Sequence, residues 1–300
     1  MGAETRMERV DQMEIVRDSI VLEESGREAA RPISDGVGIL AHPMRAIEAV
    51  AAALMAAIIM LILTGVFFRY FLAHPLIWID ELVALTFIWM SMLGAVIAID
   101  RGEHVRFTLF MDFIPERVRP YMQAVAVLLV AIFSAGLILP AIKHAEMEAV
   151  MRSVELGIPR SAHIYSIAAG FGLIVALSLV RCFRAFKAKD LGVAVALVAA
   201  AGLLFWLVSD ALLALGMVNI GIFLVGVTLF SLVIGVPIAF CFGIGSLYYL
   251  FFATSLPMSV LVGRIDEGMA NPVLWSVPVF VLLGCILDRT GMGKAIVDFL

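Results

Sequence analysis

Apolar runs of about bilayer length alternate with short polar breaks along most of the chain. The clearest lies within residues 78–106. Two acids, Asp80 and Glu81, open it; an apolar run fills 82–99; Asp100, Arg101, Glu103, His104 and Arg106 close it. A helix needs roughly 20 residues to cross the hydrocarbon core. Lipid offers no partners for backbone N–H and C=O groups, so such a run predicts a helix. Trp78 stands at the entry, where an interfacial aromatic belt is expected, and Trp89 stands mid-span, where packing on another helix is expected. Further spans are predicted near 46–68, 121–142, 162–183 and 191–215. Gly36, Gly38 and Pro43 are expected to break the chain before the first of them.

The pattern changes after residue 220. One apolar run reaches to about residue 252 but carries Gly235-Val236-Pro237 in its middle. Proline removes a backbone hydrogen bond and clashes with the preceding turn, so a bent span or two half-helices is expected, running back inward after the fifth span. Residues 257–270 are mixed. A run over 273–287 follows, short for a crossing, for which a re-entrant hairpin arm and a tilted span both fit. The chain stops inside a helical pattern at Phe299-Leu300, as a fragment of a longer chain would.

Composition agrees with the pattern. The chain is 63% hydrophobic and 15% charged, with mean hydropathy +1.06. A soluble domain is closer to half apolar and a quarter charged. There is no basic stripe interleaved with aromatics, so no nucleic-acid partner is expected. The three cysteines, Cys182, Cys241 and Cys285, are far apart in apolar runs and read as small buried residues. Residues 1–45 lack a signal-peptide core and read as a polar tail, with Met7, Val10, Met13, Val16 and Ile20 at helical spacing. Counting Lys and Arg by loop, 1–45, 100–120 and 181–190 hold fourteen; 69–80, 142–160 and 209–219 hold four. That bias predicts a cytoplasmic N-terminus.

Little in the residues suggests catalysis, and no enzyme is expected. None of the five histidines lies deep in a span facing another, which disfavours a haem anchor. His144 and Glu148 share a helix face, but an exposed surface is the better reading than a metal site. Past the third span, an amphipathic extension near the interface is expected, with Glu148 and Arg152 four apart and able to pair. Asp80 and Glu81 have two readings: favourable charge at a helix N-terminus, or a contact to a neighbouring helix or subunit. Gly235-Val236-Pro237, Gly243, Gly245, Pro278 and Gly284 interrupt apolar helix, and Ser276 and Pro278 lie in the possible hairpin. Secondary transporters use broken helices so that freed carbonyls and helix ends can hold ions and anionic groups.

Trp78, Glu81, Trp89, Gly94, Arg101, Gly102 and His104, in that order around one span, resemble the small membrane subunit of tripartite ATP-independent periplasmic (TRAP) transporters. Leu156-Gly157-Ile158-Pro159 resembles the segment before that subunit's fourth helix. Arg106 and Phe107, and Arg160 and Ser161, stand where the family often has other residues, an aspartate and an aromatic. Gly235-Val236-Pro237 with Ile238, Ala239 and Phe240, and then residues 276–299, resemble the start of the large subunit. The resemblance implies an all-α integral membrane protein. It would comprise a cytoplasmic tail (1–44), a four-span small-subunit module (45–186), a linker transmembrane helix (187–218), and the first broken helix and a hairpin of the large transport subunit (219–300). It implies sodium-driven uptake of an organic anion, usually a carboxylate, with no cofactor beyond the coupling sodium ion. Partners would be a periplasmic substrate-binding protein, the remainder of the large subunit and the lipid bilayer, in a bacterial inner membrane. Ser276, Pro278 and Gly284 would touch substrate or ion, with the main site beyond Leu300. Trp78, Glu81, Trp89, Gly94, Arg101, His104, Gly235 and Pro237 would serve packing between subunits.

Overall fold

A computed structural model describes residues 38–101, 115, 118–214 and 218–293, with the side chains at 38–40 and 210–214 left aside. The polar tail and its amphipathic helix, Gly102, His104 and Arg106, the side chain of Asp210, and 294–300 lie outside the described residues. Within them the chain is helix and loop. The helices are α1 (Gly38–Tyr70), α2 (Trp78–Arg101), α3 (Arg119–Glu148), α4 (Ser161–Ala185) and α5 (Ala188–Ala214), then α6 (Val218–Ile234), α7 (Ile238–Ala253), α8 (Ser259–Met269) and α9 (Pro272–Arg289). Among the described residues six are long and apolar enough to cross a membrane, α1 to α5 and α9.

Small and branched residues at helical spacing build the core. Ile88, Met92, Val96 and Ile99 of α2, Val130, Phe133, Leu137 and Ala141 of α3, and Ile164, Ile167, Phe171 and Ile174 of α4 share one buried cluster. α3 and α4 form the most extensive pair, with α2 against α4 and α1 against α2. Close approach depends on Gly170, where a Cβ would stand 2.9 Å from the Cβ of Met92. Small residues at helix crossings are the membrane solution, because apolar side chains gain little by leaving lipid for one another. α5 packs along α3 and α7 and shows Leu197, Leu203, Leu204, Trp206 and Leu207 outward. In water such a surface would be an aggregation liability; in lipid it is the ordinary exterior.

Several expectations are corrected. α1 begins by Gly38 and runs through Pro43. The bond this proline deletes would lie in the opening turns, where its loss costs little. Of the two readings of the run with Gly235-Val236-Pro237, two half-helices is the one found, but they do not run on inward. The run becomes two antiparallel helices, α6 and α7. Phe223 near the start of α6 lies 6.3 Å, ring to ring, from Tyr249 near the end of α7, so both outer ends sit together. The tip turns at Gly235, φ +90°, where a side chain would be strained, and Pro237 starts α7. Three residues past the tip, the Phe240 ring lies 5.8 Å from Phe133, at the middle of α3. The tip is therefore deep in the bundle, and Gly235, Val236 and Pro237 are buried in protein, as non-helical backbone at that depth requires. Residues 257–270, mixed in sequence, contain the amphipathic helix α8. Its Leu261, Ile265 and Met269 lie one turn apart and pack on the core.

Candidate functional site

The helix ends near Glu81 gather the polar chemistry of the described residues. α3 ends at Glu148, so Lys143 to Arg160 is not one amphipathic extension. After Glu148 the chain makes a miniature hairpin. Ser153 N–H donates to Ile158 O (2.9 Å) and Arg160 N–H to Met151 O (2.9 Å), with Arg152 opposite Pro159. Gly157 turns the strand at φ +65°, a conformation glycine adopts without steric cost. The proline that follows holds Ile158 away from the helical region. At this turn the amides of Val154, Glu155 and Leu156 point the same way. Such a nest of N–H groups binds anions.

The anion is Glu81. One carboxylate oxygen accepts from Val154 (3.0 Å) and Glu155 (3.2 Å), the other from Leu156 (3.0 Å). The acid does reach beyond its own helix, but to a loop and not to the neighbouring helix or subunit expected. Asp80 instead stands 3.9 Å from Arg69, both largely exposed. Arg152 does not pair with Glu148; it has left the helix and donates to Gly157 O (3.0 Å). Glu148 pairs with Arg160 (3.7 Å), and the other side of the same guanidinium faces Asp266 of α8 (3.6 Å). His144 and Glu148 are not an exposed surface: each has a buried polar atom, and a Cβ on Gly263 would stand 3.5 Å from His144 Nε2. Among the described residues no group of three His, Cys, Asp or Glu side chains is placed to hold a metal.

A cleft of about 480 Å³ opens between the hairpin loop and α8, lined by Glu81, Arg152, Arg160, His163, Asp266 and Trp275 among others. Arg160, His163 and Asp266 were not singled out as a cluster by the sequence. They lie more than a hundred residues apart at the extremes, and only the buried position of Asp266 on the inward stripe of α8 hints at a partner.

The other predicted residues lie apart. Trp78 is exposed at the Glu81 end, Trp89 is half-buried in α2, and Gly94 faces open space. Arg101, at the opposite end of α2, donates twice to Glu48 of α1 (2.7 and 3.2 Å). Ser276 marks a break in α9, and its hydroxyl donates to Val273 O (2.7 Å). Pro278 is buried in the next turn, and Gly284 is exposed with nothing near it. These three are not brought into one pocket by the described residues.

Comparison with known proteins divides the chain into two matched spans separated by most of α5 and the start of α6. Residues 58–188 match the family described as tripartite ATP-independent periplasmic transporters, DctQ component; residues 224–300 match the DctM component. A sialic acid TRAP transporter small permease protein, SiaQ of Vibrio cholerae, is 31% identical over 140 residues, 47% of this chain and 81% of that protein. A sialic acid TRAP transporter permease protein, SiaT of Haemophilus influenzae, is 31% identical over 83 residues, 28% of this chain and 14% of that protein. With apolar helices enough for several crossings and both components represented in order, the chain is a multi-pass membrane protein belonging to the TRAP transporter family, a small permease component fused to the start of a large one.

Proposed function

We propose that the chain is the membrane permease part of a sodium-coupled secondary transporter that imports organic anions, carboxylates, delivered by a periplasmic binding protein. The observation that carries this reading is the α6–α7 hairpin, whose non-helical tip is buried at the level of Phe133. A helix broken inside the bundle frees carbonyls and helix ends to meet an ion or an anionic group. The two relatives are named for sialic acid, itself a carboxylate.

The test is uptake in proteoliposomes. The full-length protein, its neighbouring binding protein and labelled carboxylates are combined with and without an inward sodium gradient. Sodium-dependent uptake that needs the binding protein supports the reading. No uptake across a broad anion panel, from folded protein, leaves a membrane scaffold whose partner does the transport.

On this reading the Glu81 end is the outer face, and the hairpin loop is where the binding protein docks. Val150 is 87% and Val154 92% exposed, on a loop that Glu81 holds in one conformation. A rigid apolar knob loses little entropy on docking. Val154→Asp is expected to raise the binding-protein concentration for half-maximal uptake about tenfold, the size of a modest interface hot spot. An unchanged concentration dependence removes the loop from the docking surface.

A further inference from the structure

Arg160 sits between two carboxylates that belong to different parts of the chain. Glu148 closes α3 of the small-component part, and Asp266 lies on α8 of the large-component part. The two acids are not equivalent. The Glu148 side chain is 21% exposed and that of Asp266 4%, although each has one buried oxygen with no hydrogen-bond partner, Oε2 and Oδ1. Arg160 itself is about half exposed. Around this contact α8 fits closely. Leu261, Ile265 and Met269 pack on the core, Val262 is fully buried, and Gly263 lets the helix approach the His144 ring. His163 lines the adjoining cleft.

We infer that Arg160 is a positioning residue that holds α8, and with it the start of the large component, against the small component by partnering the buried carboxylate of Asp266. The apolar stripe of α8 can slide by a turn against α3 with little change in contacts, since its residues repeat every four positions. A buried carboxylate cannot slide away from its cation without standing alone in a medium that solvates charge poorly. With the acid in place, Arg160 therefore decides whether α8 can stay against α3. His144 and Glu148 of α3 and His163 of α4 complete the polar wall the acid meets.

The asymmetry of burial gives a specific pattern of epistasis. Removing Arg160 leaves a buried charge without its partner, so α8 is expelled. Removing the charge of Asp266 leaves Arg160 half in water and still beside Glu148, so α8 stays. Removing both is no worse than removing Asp266 alone. The full chain carrying Val262→Cys is labelled with a maleimide in detergent, and labelled peptides are counted by mass. Native Cys182, buried near the far end of α4, reports general unfolding. Arg160→Gln is expected to speed labelling at position 262 about tenfold or more while Cys182 stays protected. Arg160→Lys, Asp266→Asn and the Arg160→Gln/Asp266→Asn pair are expected to keep position 262 protected. Protection in Arg160→Gln, equal exposure in Asp266→Asn, or failure of Asp266→Asn to rescue Arg160→Gln would overturn the assignment. So would labelling of Cys182 together with position 262, since the pair would then hold the whole bundle and not α8.

Discussion

Glu81→Ala is expected to free the hairpin loop while leaving the bundle folded. Hydrogen exchange at Val154, Glu155 and Leu156 should rise about tenfold or more, because their amides lose charge-assisted acceptors, which are roughly twice as strong as neutral ones. The loop residues are exposed, so water replaces the carboxylate and the unfolding midpoint should move by only a few degrees. Glu81→Gln should fail nearly as badly. A glutamine has one acceptor oxygen for three converging N–H groups and turns its own NH₂ toward them. Glu81→Asp keeps the charge but is one methylene short. Asp80→Asn is the control: that carboxylate is exposed, and its contact to Arg69 at 3.9 Å is a surface pair worth little. If binding-protein-dependent uptake falls with Glu81→Ala and Glu81→Gln but not with Asp80→Asn, the ordered loop is what the partner reads. Loosened exchange with intact uptake would separate the clasp from docking.

The clasp shows where sequence reading stops. Glu81 and the Leu156-Gly157-Ile158-Pro159 stretch each stand out in the sequence, and both lie in the span that matches the small component. Nothing in the sequence linked them across about 75 positions, because a carboxylate meeting three amides leaves no mark in the amides' side chains. The spans were legible because lipid imposes length and polarity on every residue of a helix. The hairpin was half legible. Gly235-Val236-Pro237 announced a break, but whether the second half continued or returned depended on Phe133 receiving Phe240 and on glycines admitting a neighbouring helix. Residues 257–270 are mixed in composition, although Leu261, Ile265 and Met269 carry the stripe of the helix α8. Its eleven residues and two acids obscured it. Glu148 and Arg152 had the right spacing for a helical pair, and the helix ended before they could use it.

Gly245→Ala should be among the most damaging single-methyl additions in the described residues. A Cβ there would stand 2.5 Å from Thr228 Oγ1 and 2.9 Å from the main-chain oxygen of Phe223. Neither obstacle yields easily: Thr228 is β-branched and stiff at χ1, and the carbonyl belongs to α6 itself. The arms of the hairpin must separate, at a cost of about 2 kcal/mol, in the range for overpacking a well-packed site. Gly243→Ala meets the Phe133 ring, with atoms at 2.5 and 2.8 Å, but a ring can tilt, so its cost should be smaller. Gly284→Ala has nothing within 4 Å and should leave the midpoint unchanged or slightly raised, since alanine favours the helix. Thermal unfolding of the three variants in one detergent orders them 245 below 243 below 284. The same order in sodium-driven uptake would tie the closed hairpin to transport, because the tip's depth beside Phe133 depends on α6 and α7 staying in contact. Equal midpoints for the variants at 245 and 284 would mean that the arms do not touch in the membrane and that the tip is held there by α3 alone.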